Sequence, residues 1–242
     1  MWVMNNMSNI KLKNSIWSLV IISALVWFIL AWFSGLNLSD AKVFFKLVPN
    51  VVSLDLLIIT VFTKWLWKYD CFRGWLVPFP NLNGSWIGHI FSGWEDPETG
   101  QGVPPIPVML TINQSFLHIS CMMHTGEMKS YSMSEGFNID KDRQIKQVSY
   151  IYTSKPRIVV DNRSLPHDGA IVFDIIEVQE KKLTGRYWTE RKTTGEIELV
   201  FHTKKILEEI PESIGTHPLN PPRKIIAKSG KFVPKKHNQI KN

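Results

Sequence analysis

Two apolar stretches near the N-terminus constrain the fold of this chain more than any other feature. Residues 16–36 contain no charged side chain, and residues 47–67 contain only Asp55 and Lys64. A helix over residues 16–36 would be roughly 31 Å long, which matches a hydrocarbon core of about 30 Å. Bulky aromatic residues stand where a signal peptide needs small ones for cleavage (Trp27, Phe28, Trp32 and Phe33). The pattern predicts a transmembrane hairpin over residues 16–69, after a short N-terminus over residues 1–15.

The charges around the two spans predict the orientation of the hairpin. Five basic residues flank its outer ends (Lys11, Lys13, Lys64, Lys68 and Arg73), whereas the loop between the spans has two (Lys42 and Lys46). Basic residues concentrate on the cytoplasmic side of membrane proteins. We therefore predict a multi-pass membrane protein with both termini and the soluble domain in the cytoplasm.

Asp55 lies near the middle of the second span, where a carboxylate costs about 2.5–3.5 kcal/mol on insertion scales. A single hairpin offers it no basic partner. One interpretation is a helix–helix contact or a polar lining in a homo-oligomer; the other is a tolerated polar residue beside Ser53 or Thr60. The first makes Asp55 the candidate residue for oligomerisation in the membrane.

Beyond a linker over residues 70–82, the pattern changes to short strands separated by turn residues. Each strand is rich in β-branched or aromatic residues, and we predict eight of them, over residues 84–92, 106–113, 115–124, 127–136, 144–153, 169–179, 182–190 and 195–204. No helical pattern separates them, so we expect sequential antiparallel pairing. The prediction is a closed eight-stranded up-and-down barrel over residues 83–204, of the lipocalin or fatty-acid-binding kind, with a two-sheet sandwich as the alternative. The run Gly84–Ser85–Trp86 matches the Gly-x-Trp that opens the first strand of lipocalin-like barrels.

Charge and cysteine content exclude several classes of function. Residues 83–203 carry a net charge of −3, while the basic excess lies beside the spans and in residues 205–242, for which we predict a flexible tail. This distribution favours anionic headgroups over a nucleic-acid polymer. Two cysteines form no disulfide framework and suit a reducing compartment. On a strand, His118 and His124 point away from Cys121, so the three cannot share a metal. No catalytic constellation is visible, and we expect neither an enzyme nor a cofactor.

A barrel of this size can hold one small molecule, and its polar aromatic residues suggest a nucleotide. Stacking faces and guanidinium groups suit bases and phosphates, and the candidate ligand residues are Trp86, Tyr131, Tyr152, Arg157, Arg186 and Tyr187, with Arg163 as a further arginine. For two of these candidates, a position that does not contact a ligand is also consistent with the sequence. Trp86 can close the bottom of the barrel, and Arg186 shares a strand face with Glu196 and Glu198 that predicts exposure to solvent.

The whole pattern resembles the two-transmembrane, β-strand-rich effectors of bacterial CBASS antiphage systems, the CD-NTase-associated protein 15 family. The resemblance rests on the hairpin, on the aromatic-basic run 64–69, on Pro80-x3-Gly84-Ser85-Trp86-x-Gly88, and on the late strand pair containing residues 183–187 and 195–197. It implies a barrel that binds a cyclic dinucleotide made by a partner CD-NTase nucleotidyltransferase. It also implies that binding drives oligomerisation of the spans and disruption of the inner membrane.

Two other hypotheses remain open on the residues alone. The chain can be a membrane-tethered carrier or sensor for a lipid or other apolar ligand, or a structural membrane protein whose barrel binds another protein. The interior distinguishes the three. A cavity with converging Arg and Tyr side chains favours a nucleotide, a wholly apolar cavity favours a lipid, and a solid interior favours the structural protein.

Overall fold

The computed structural model describes residues 12–35, 41–95, 99–158, 165–215 and 217–218. Two helices come first, α1 over Leu12–Ser34 and α2 over Ala41–Lys64. Both are long and apolar enough to cross a membrane, over Ser15–Ser34 and Phe45–Lys64. Their large apolar side chains are mostly exposed, among them Phe28, Trp32 and Leu56. This exposure is the pattern of a lipid-facing hairpin rather than of a soluble core.

Several hydroxyl groups within the hairpin bond to a carboxylate or to the backbone, which suits a hydrocarbon environment. Ser23 Oγ of α1 donates a hydrogen bond of 2.7 Å to Asp55 Oδ2 of α2. The other carboxylate oxygen, Oδ1, is buried and has no hydrogen-bond partner among the described residues. Ser53 and Thr60 instead donate to backbone carbonyls one turn back in their own helix. The polar neighbour of Asp55 is therefore a serine of the first span, not either of these two residues.

Eight strands follow and close into an antiparallel barrel. They are β1 Gly84–Ser92, β2 Ile106–Gln114, β3 Ile119–Thr125, β4 Met128–Asp140, β5 Ile145–Pro156, β6 His167–Ile176, β7 Lys182–Thr189 and β8 Thr194–Thr203. Each strand pairs with the next along the chain, and β1 pairs with β8 to complete the ring. The predicted barrel is confirmed and the sandwich alternative is wrong, because closure leaves one continuous sheet.

One end of the barrel is packed solid. We call it the hairpin end, because the chain arrives there from the membrane helices and the β2–β3, β4–β5 and β6–β7 connections lie there. Trp86 is fully buried in this half, donates from Nε1 to the Leu82 carbonyl at 3.0 Å, and packs edge-on against Phe201. Gln114 fixes the arriving segment by bonding to the Leu82 N–H and the Pro80 carbonyl. The interior here is filled by large side chains, chiefly Leu110, Ile112, Val148, Phe173, Leu183 and Leu199.

An aromatic cluster connects α2 to the hairpin end of the barrel. We call it the aromatic junction, and it consists of Phe62, Trp67, Phe72, Phe79, Phe116 and Phe137. Phe62 of α2 lies 5.2 Å from Phe72 and 5.4 Å from Phe116 between ring centroids, and Phe79 stacks on Phe137 of β4 at 5.3 Å. Arg73 adds an ion pair to Glu177 in the β6–β7 connection. The segment between α2 and β1 is thus held to the barrel at Arg73, Phe79 and Leu82.

Candidate ligand site

A cavity of about 290 Å³ opens at the other end of the barrel, which we call the open end. The β1–β2, β3–β4, β5–β6 and β7–β8 connections lie there. The volume is at the lower limit of the range typical of small-molecule pockets. Its deeper lining is apolar and its upper lining is polar. The apolar residues include Ile90, Met123, Ile171 and Ile197, and the polar ones include Ser92, Tyr152, His167, Tyr187 and Arg191.

Glycines on neighbouring strands allow the two tyrosine rings to lie against the barrel wall. Tyr152 of β5 is opposite Gly169 of β6, and Tyr187 of β7 is opposite Gly195 of β8. A Cβ at Gly169 would lie 2.5 Å from Tyr152 Oη, and one at Gly195 would lie 2.5 Å from Tyr187 Cε1. Because no side chain other than hydrogen fits there, the glycines leave room for the rings and help keep the cavity open.

Both tyrosines are neutral hydrogen-bond donors near pH 7. Burial raises the pKa of the Tyr152 hydroxyl, and the nearby Tyr187 raises it further. Burial also raises the pKa of Tyr187, with partial opposition from its hydrogen bond of 3.3 Å to Ser92 Oγ. A neutral phenol donates to an anionic oxygen, whereas a phenolate would repel it.

Histidine and arginine side chains add cationic or donor groups at the open end. Arg191 and His167 line the cavity. His167 Nδ1 is 3.0 Å from the Leu165 carbonyl oxygen; since a carbonyl only accepts, Nδ1 carries the hydrogen. Arg157 lies at the rim, where its Nη1 is 3.4 Å from the Gly126 carbonyl oxygen. Phosphate is the ligand chemistry that suits such a combination with tyrosine hydroxyls.

The predicted ligand residues occupy different parts of the barrel. Tyr152 and Tyr187 line the cavity, and Arg157 lies at its rim. Trp86 is enclosed at the hairpin end, as its structural alternative predicts. Arg163 lies outside the described residues.

Tyr131 and Arg186 point to the outside of the barrel. Tyr131 is 43% exposed. Arg186 is exposed and lies 3.9 Å from Glu196 on the neighbouring strand. The cavity therefore brings together two of the six candidates, while the other four lie at the rim, on the outer wall or in the packed half.

Several cavity residues were missed by the sequence analysis. Arg191 and Trp94 lie just past the ends of β7 and β1, in connections where the strand period of two does not apply, so strand alternation alone could not place them in the cavity. His167 precedes the predicted sixth strand, which starts at residue 169, but in the structure it begins β6. His217 also lines the cavity, and no local signal pointed to it because it comes from beyond the barrel.

The histidine and cysteine residues considered for a metal are separated as the strand geometry predicts. Cys121 and His124 are both buried on β3, with the thiol in the interior core and His124 on the opposite strand face. His118 lies in the preceding turn. In the described part of the chain, no group of three or more His, Cys, Asp or Glu residues is arranged to hold a metal ion.

Two comparisons with known proteins bear on this barrel. A family model described as "Cap15, cyclic dinucleotide receptor domain" matches residues 77–200, from the aromatic junction to β8. A relative from Staphylococcus schleiferi, CD-NTase-associated protein 15, is 22% identical over 177 residues, which cover 72% of this chain and 91% of the relative. The family match therefore runs from before β1 into β8 and ends within that strand.

Proposed function

The chain belongs to the Cap15 family of cyclic dinucleotide receptor domains, and from this we propose that it is the membrane effector of a CBASS antiphage system. The barrel binds a cyclic dinucleotide second messenger made by a partner CD-NTase. Binding drives assembly of the transmembrane helices into a homo-oligomer that disrupts the inner membrane and kills the infected cell. The observation that carries the ligand assignment is the cavity at the open end, where Tyr152, Tyr187 and Arg191 converge.

The arrangement of the lining suits a molecule with flat apolar bases and anionic linkages. The aliphatic floor and the rings of Trp94, Tyr152 and Tyr187 offer contact surface to bases. Arg191 and the tyrosine hydroxyls supply donors for phosphate oxygens. A fatty acid would use the floor but leave most of these polar groups unpaired, which costs binding free energy.

In this proposal the transmembrane helices produce the response to the ligand by assembling in the membrane. Ligand binding favours assembly only if the oligomer binds the ligand more tightly than the monomer does. The aromatic junction joins α2 to the barrel and is the physical path for such coupling. A cytoplasmic barrel is consistent with a messenger made inside the cell and with the excess of basic residues at the outer ends of the hairpin.

Thermal unfolding of the full chain in nanodiscs tests the ligand class. We expect at least one member of a cyclic dinucleotide panel to raise the Tm with increasing concentration, because a ligand that binds only the folded state stabilises it. Fatty acids are the comparison arm. Stabilisation by fatty acids and by no cyclic dinucleotide would reject the proposal in favour of a lipid carrier.

Arginine variants test the location of the site. Arg191→Gln removes a lining cation, and we expect Kd for the stabilising dinucleotide to rise about tenfold to a hundredfold, the range of a charge-assisted hydrogen bond. Arg186→Gln removes the same charge from the outer wall and is the matched control. Isothermal titration of both variants measures the difference, and equal effects would place the ligand elsewhere.

A further inference from the structure

One part of the outer wall of the barrel carries apolar side chains on four neighbouring strands. We call it the outer patch, and it consists of Tyr131 and Met133 of β4, Ile151 of β5, Ala170 of β6 and Trp188 of β7. In the register of the sheet, Ile151 is opposite Ala170, and Ala170 is opposite Trp188. The four large side chains of the outer patch are each between 42% and 49% exposed. Adjoining exposed apolar side chains of this kind mark interaction surfaces.

The wall on the other side of the barrel is covered by the chain itself. Its outward-facing residues on β1, β2 and β3 are each at most 3% exposed, namely Ser85, Met109, Thr111 and His124. The segment beyond β8 contributes to this cover, because Ser85 Oγ donates to the Lys205 carbonyl at 2.8 Å and accepts from the Leu207 N–H at 2.9 Å. The outer patch therefore belongs to the part of the wall that the described chain leaves open.

Thr153 of β5 orders the side chains at the centre of the outer patch. It lies opposite Tyr131, and its Oγ1 donates to Asp168 Oδ1 of β6 at 2.7 Å. The same Oγ1 lies 3.2 Å from the sulfur of Met133, in the bulge of β4. Because this hydroxyl is already paired within the wall, covering the patch does not leave it without a partner.

Two pairs of like charges flank the outer patch on opposite sides. On one side, Lys129 of β4 is directly opposite Lys155 of β5, and we call these the lysine pair. On the other side, the Glu190 N–H donates to the Asp168 carbonyl at 3.0 Å and the Asp168 N–H donates to Glu190 Oε1 at 3.1 Å; we call these the carboxylate pair. All four residues are exposed, and none of them forms an ion pair with another described residue. Like charges directly opposite each other on a sheet are destabilising, so each pair would gain from an opposite charge supplied from outside the barrel.

The pattern of the outer patch is complementary to itself. A second copy rotated by 180° about an axis parallel to the strands, between β5 and β6, places its β7 against β4 and its β6 against β5. The lysine pair of each copy then faces the carboxylate pair of the other. Ile151 faces the small Ala170, and Met133 faces Trp188, which allows a favourable contact between the sulfur and the ring. This is the geometry of an isologous twofold interface, in which the same surface serves both copies.

We propose that the outer patch is the contact between the barrels of two copies of this chain, related by a twofold axis parallel to the strands. It adds a contact between soluble domains to the contact that Asp55 offers between the spans. The patch is smaller than the about 20–30 residues a side of a standard interface. It therefore acts between copies that the hairpins hold in one membrane, where the local concentration is high. The inference rests on the proposed function for the ligand as the trigger of assembly.

Charge reversal on the full chain in liposomes tests the twofold contact. Energy transfer between copies labelled at the exposed Cys71 reports association, with and without the stabilising cyclic dinucleotide. One chain carries Lys129→Glu and Lys155→Glu, and a second carries Asp168→Lys and Glu190→Lys. Each alone should associate about tenfold more weakly than the wild type, because like charges then face each other across the contact. An equal mixture of the two should regain association, since every facing pair in the mixed dimer is again opposite in charge.

A matched pair of isoleucine variants tests the apolar part of the contact. Ile151→Ser should weaken association about tenfold, because it removes the side chain that faces Ala170 at the centre of the interface. Ile176→Ser is the control, since Ile176 is also exposed on the outer wall but lies at the other end of β6. It should keep association within about twofold of the wild type. Each variant should also keep the Kd of the wild type for the dinucleotide within about twofold, which shows that its barrel is folded.

The outcomes distinguish this contact from the proposed function. Dinucleotide-driven energy transfer that is equal in the wild type, both charge-reversed chains and Ile151→Ser overturns the contact, assigns the patch to another partner and leaves the proposed function standing. Charge-reversed chains that lose energy transfer and do not regain it on mixing overturn the twofold arrangement. Energy transfer that depends on the outer patch, without binding of any cyclic dinucleotide, supports the contact and rejects the proposed function. A wild type that neither binds a dinucleotide nor associates rejects both.

Discussion

At the scale of single residues, the two cysteines differ in thiol reactivity, because Cys121 is buried inside the barrel and Cys71 is exposed outside it. Burial raises the pKa of the Cys121 thiol far above its usual range, and the Glu135 carboxylate raises it further. Cys71, just past α2, is exposed. The reactive species is the thiolate, so the buried thiol is inert in the native state.

We expect Ellman's reagent at pH 8 to titrate one thiol in the native chain and two after denaturation. Cys71→Ser should leave no reactive thiol in the native protein, whereas Cys121→Ser should leave the native count at one. Rapid native labelling of Cys121 would show that the packed half of the barrel admits solvent.

His124 gives a prediction of pH dependence. Burial lowers its pKa from 6.5, and the nearby Lys129 lowers it further; its Nε2 is buried and has no hydrogen-bond partner among the described residues. The unfolded chain therefore binds the proton more readily than the folded one. This contribution to stability is complete above about pH 6.5 and is lost as the pH falls toward the folded-state pKa.

The measurement is the Tm of the wild type and of His124→Gln between pH 7.5 and 5.5. We expect the wild type to lose more Tm across this range than the variant, because glutamine does not titrate. His202→Gln, on the exposed side of β8, reports any general effect of replacing a histidine. Parallel pH profiles for the wild type and His124→Gln would contradict the assignment.

At the scale of elements, the predicted strand ends were most accurate where the adjoining turn can be recognised from a few neighbouring residues. The predicted bounds of β1 match the structure, and those of β7 and β8 agree to within one residue. β3 begins at Ile119 rather than at residue 115, because Ser115 and His118 close a turn through Ser115 N–H to the His118 carbonyl at 2.7 Å. β4 continues to Asp140, past the predicted end at 136, because its residues pair with β5 as far as Asp140 and Ile145. A bulge between Ser132 and Ser134 shifts the register of this pairing by one residue.

A substitution in the helical hairpin tests whether ligand binding and membrane assembly depend on different residues. Asp55→Leu removes a costly carboxylate from the second span and its hydrogen bond to Ser23. We expect ligand affinity to change less than twofold, because the barrel is untouched, while ligand-driven assembly and toxicity fall; the twofold limit corresponds to about 0.4 kcal/mol. Light scattering of the purified chain and a growth assay measure these effects.

Ser23→Ala is the matched control, since it removes the same hydrogen bond but keeps the carboxylate. If Asp55 acts between subunits, Ser23→Ala should retain assembly and Asp55→Leu should lose it. Equal oligomer size and toxicity in wild type and Asp55→Leu would make Asp55 incidental to function.

At the scale of the whole molecule, the aromatic junction joins α2 to one end of the barrel, and the cavity opens at the other end. Phe79 is 6% exposed and its ring contacts those of Trp67, Phe116 and Phe137. Phe79→Ala should cost about 3 kcal/mol of stability, as for other buried Phe truncations, and weaken ligand-driven assembly.

If the junction transmits binding, Phe79→Ala should keep the Kd for the ligand within about twofold of the wild type. The same variant should show less ligand-driven assembly, because its junction is packed more loosely. Phe91→Ala, on the exposed outer wall of β1, is the control and should retain both. Assembly of Phe79→Ala at wild-type ligand concentrations would mean that the junction does not transmit binding.

The sequence by itself determined the parts of this protein that depend on near neighbours in the chain. Span length, strand alternation and turn residues act over a few positions, so the hairpin and the eight strands were predictable. The absence of any helical crossover predicted sequential antiparallel pairing, whereas the pairing of β1 with β8 in the structure distinguished the closed barrel from the sandwich. Tyr152 and Tyr187 were identified by residue type, as polar aromatic residues able to stack on a base. The same criterion also selected Trp86 and Tyr131, which lie outside the cavity.

Only the tertiary structure decided which end of the barrel is hollow and what surrounds the hollow. The packing of Trp86 and its neighbours fills one half, while cross-strand glycines leave the other open, and this balance depends on contacts between strands far apart in sequence. The course of the chain just beyond β8 is likewise a tertiary property. His217 reaches Glu127 because Gly126 leaves room for it across 90 residues of chain, and no local pattern encodes such a contact.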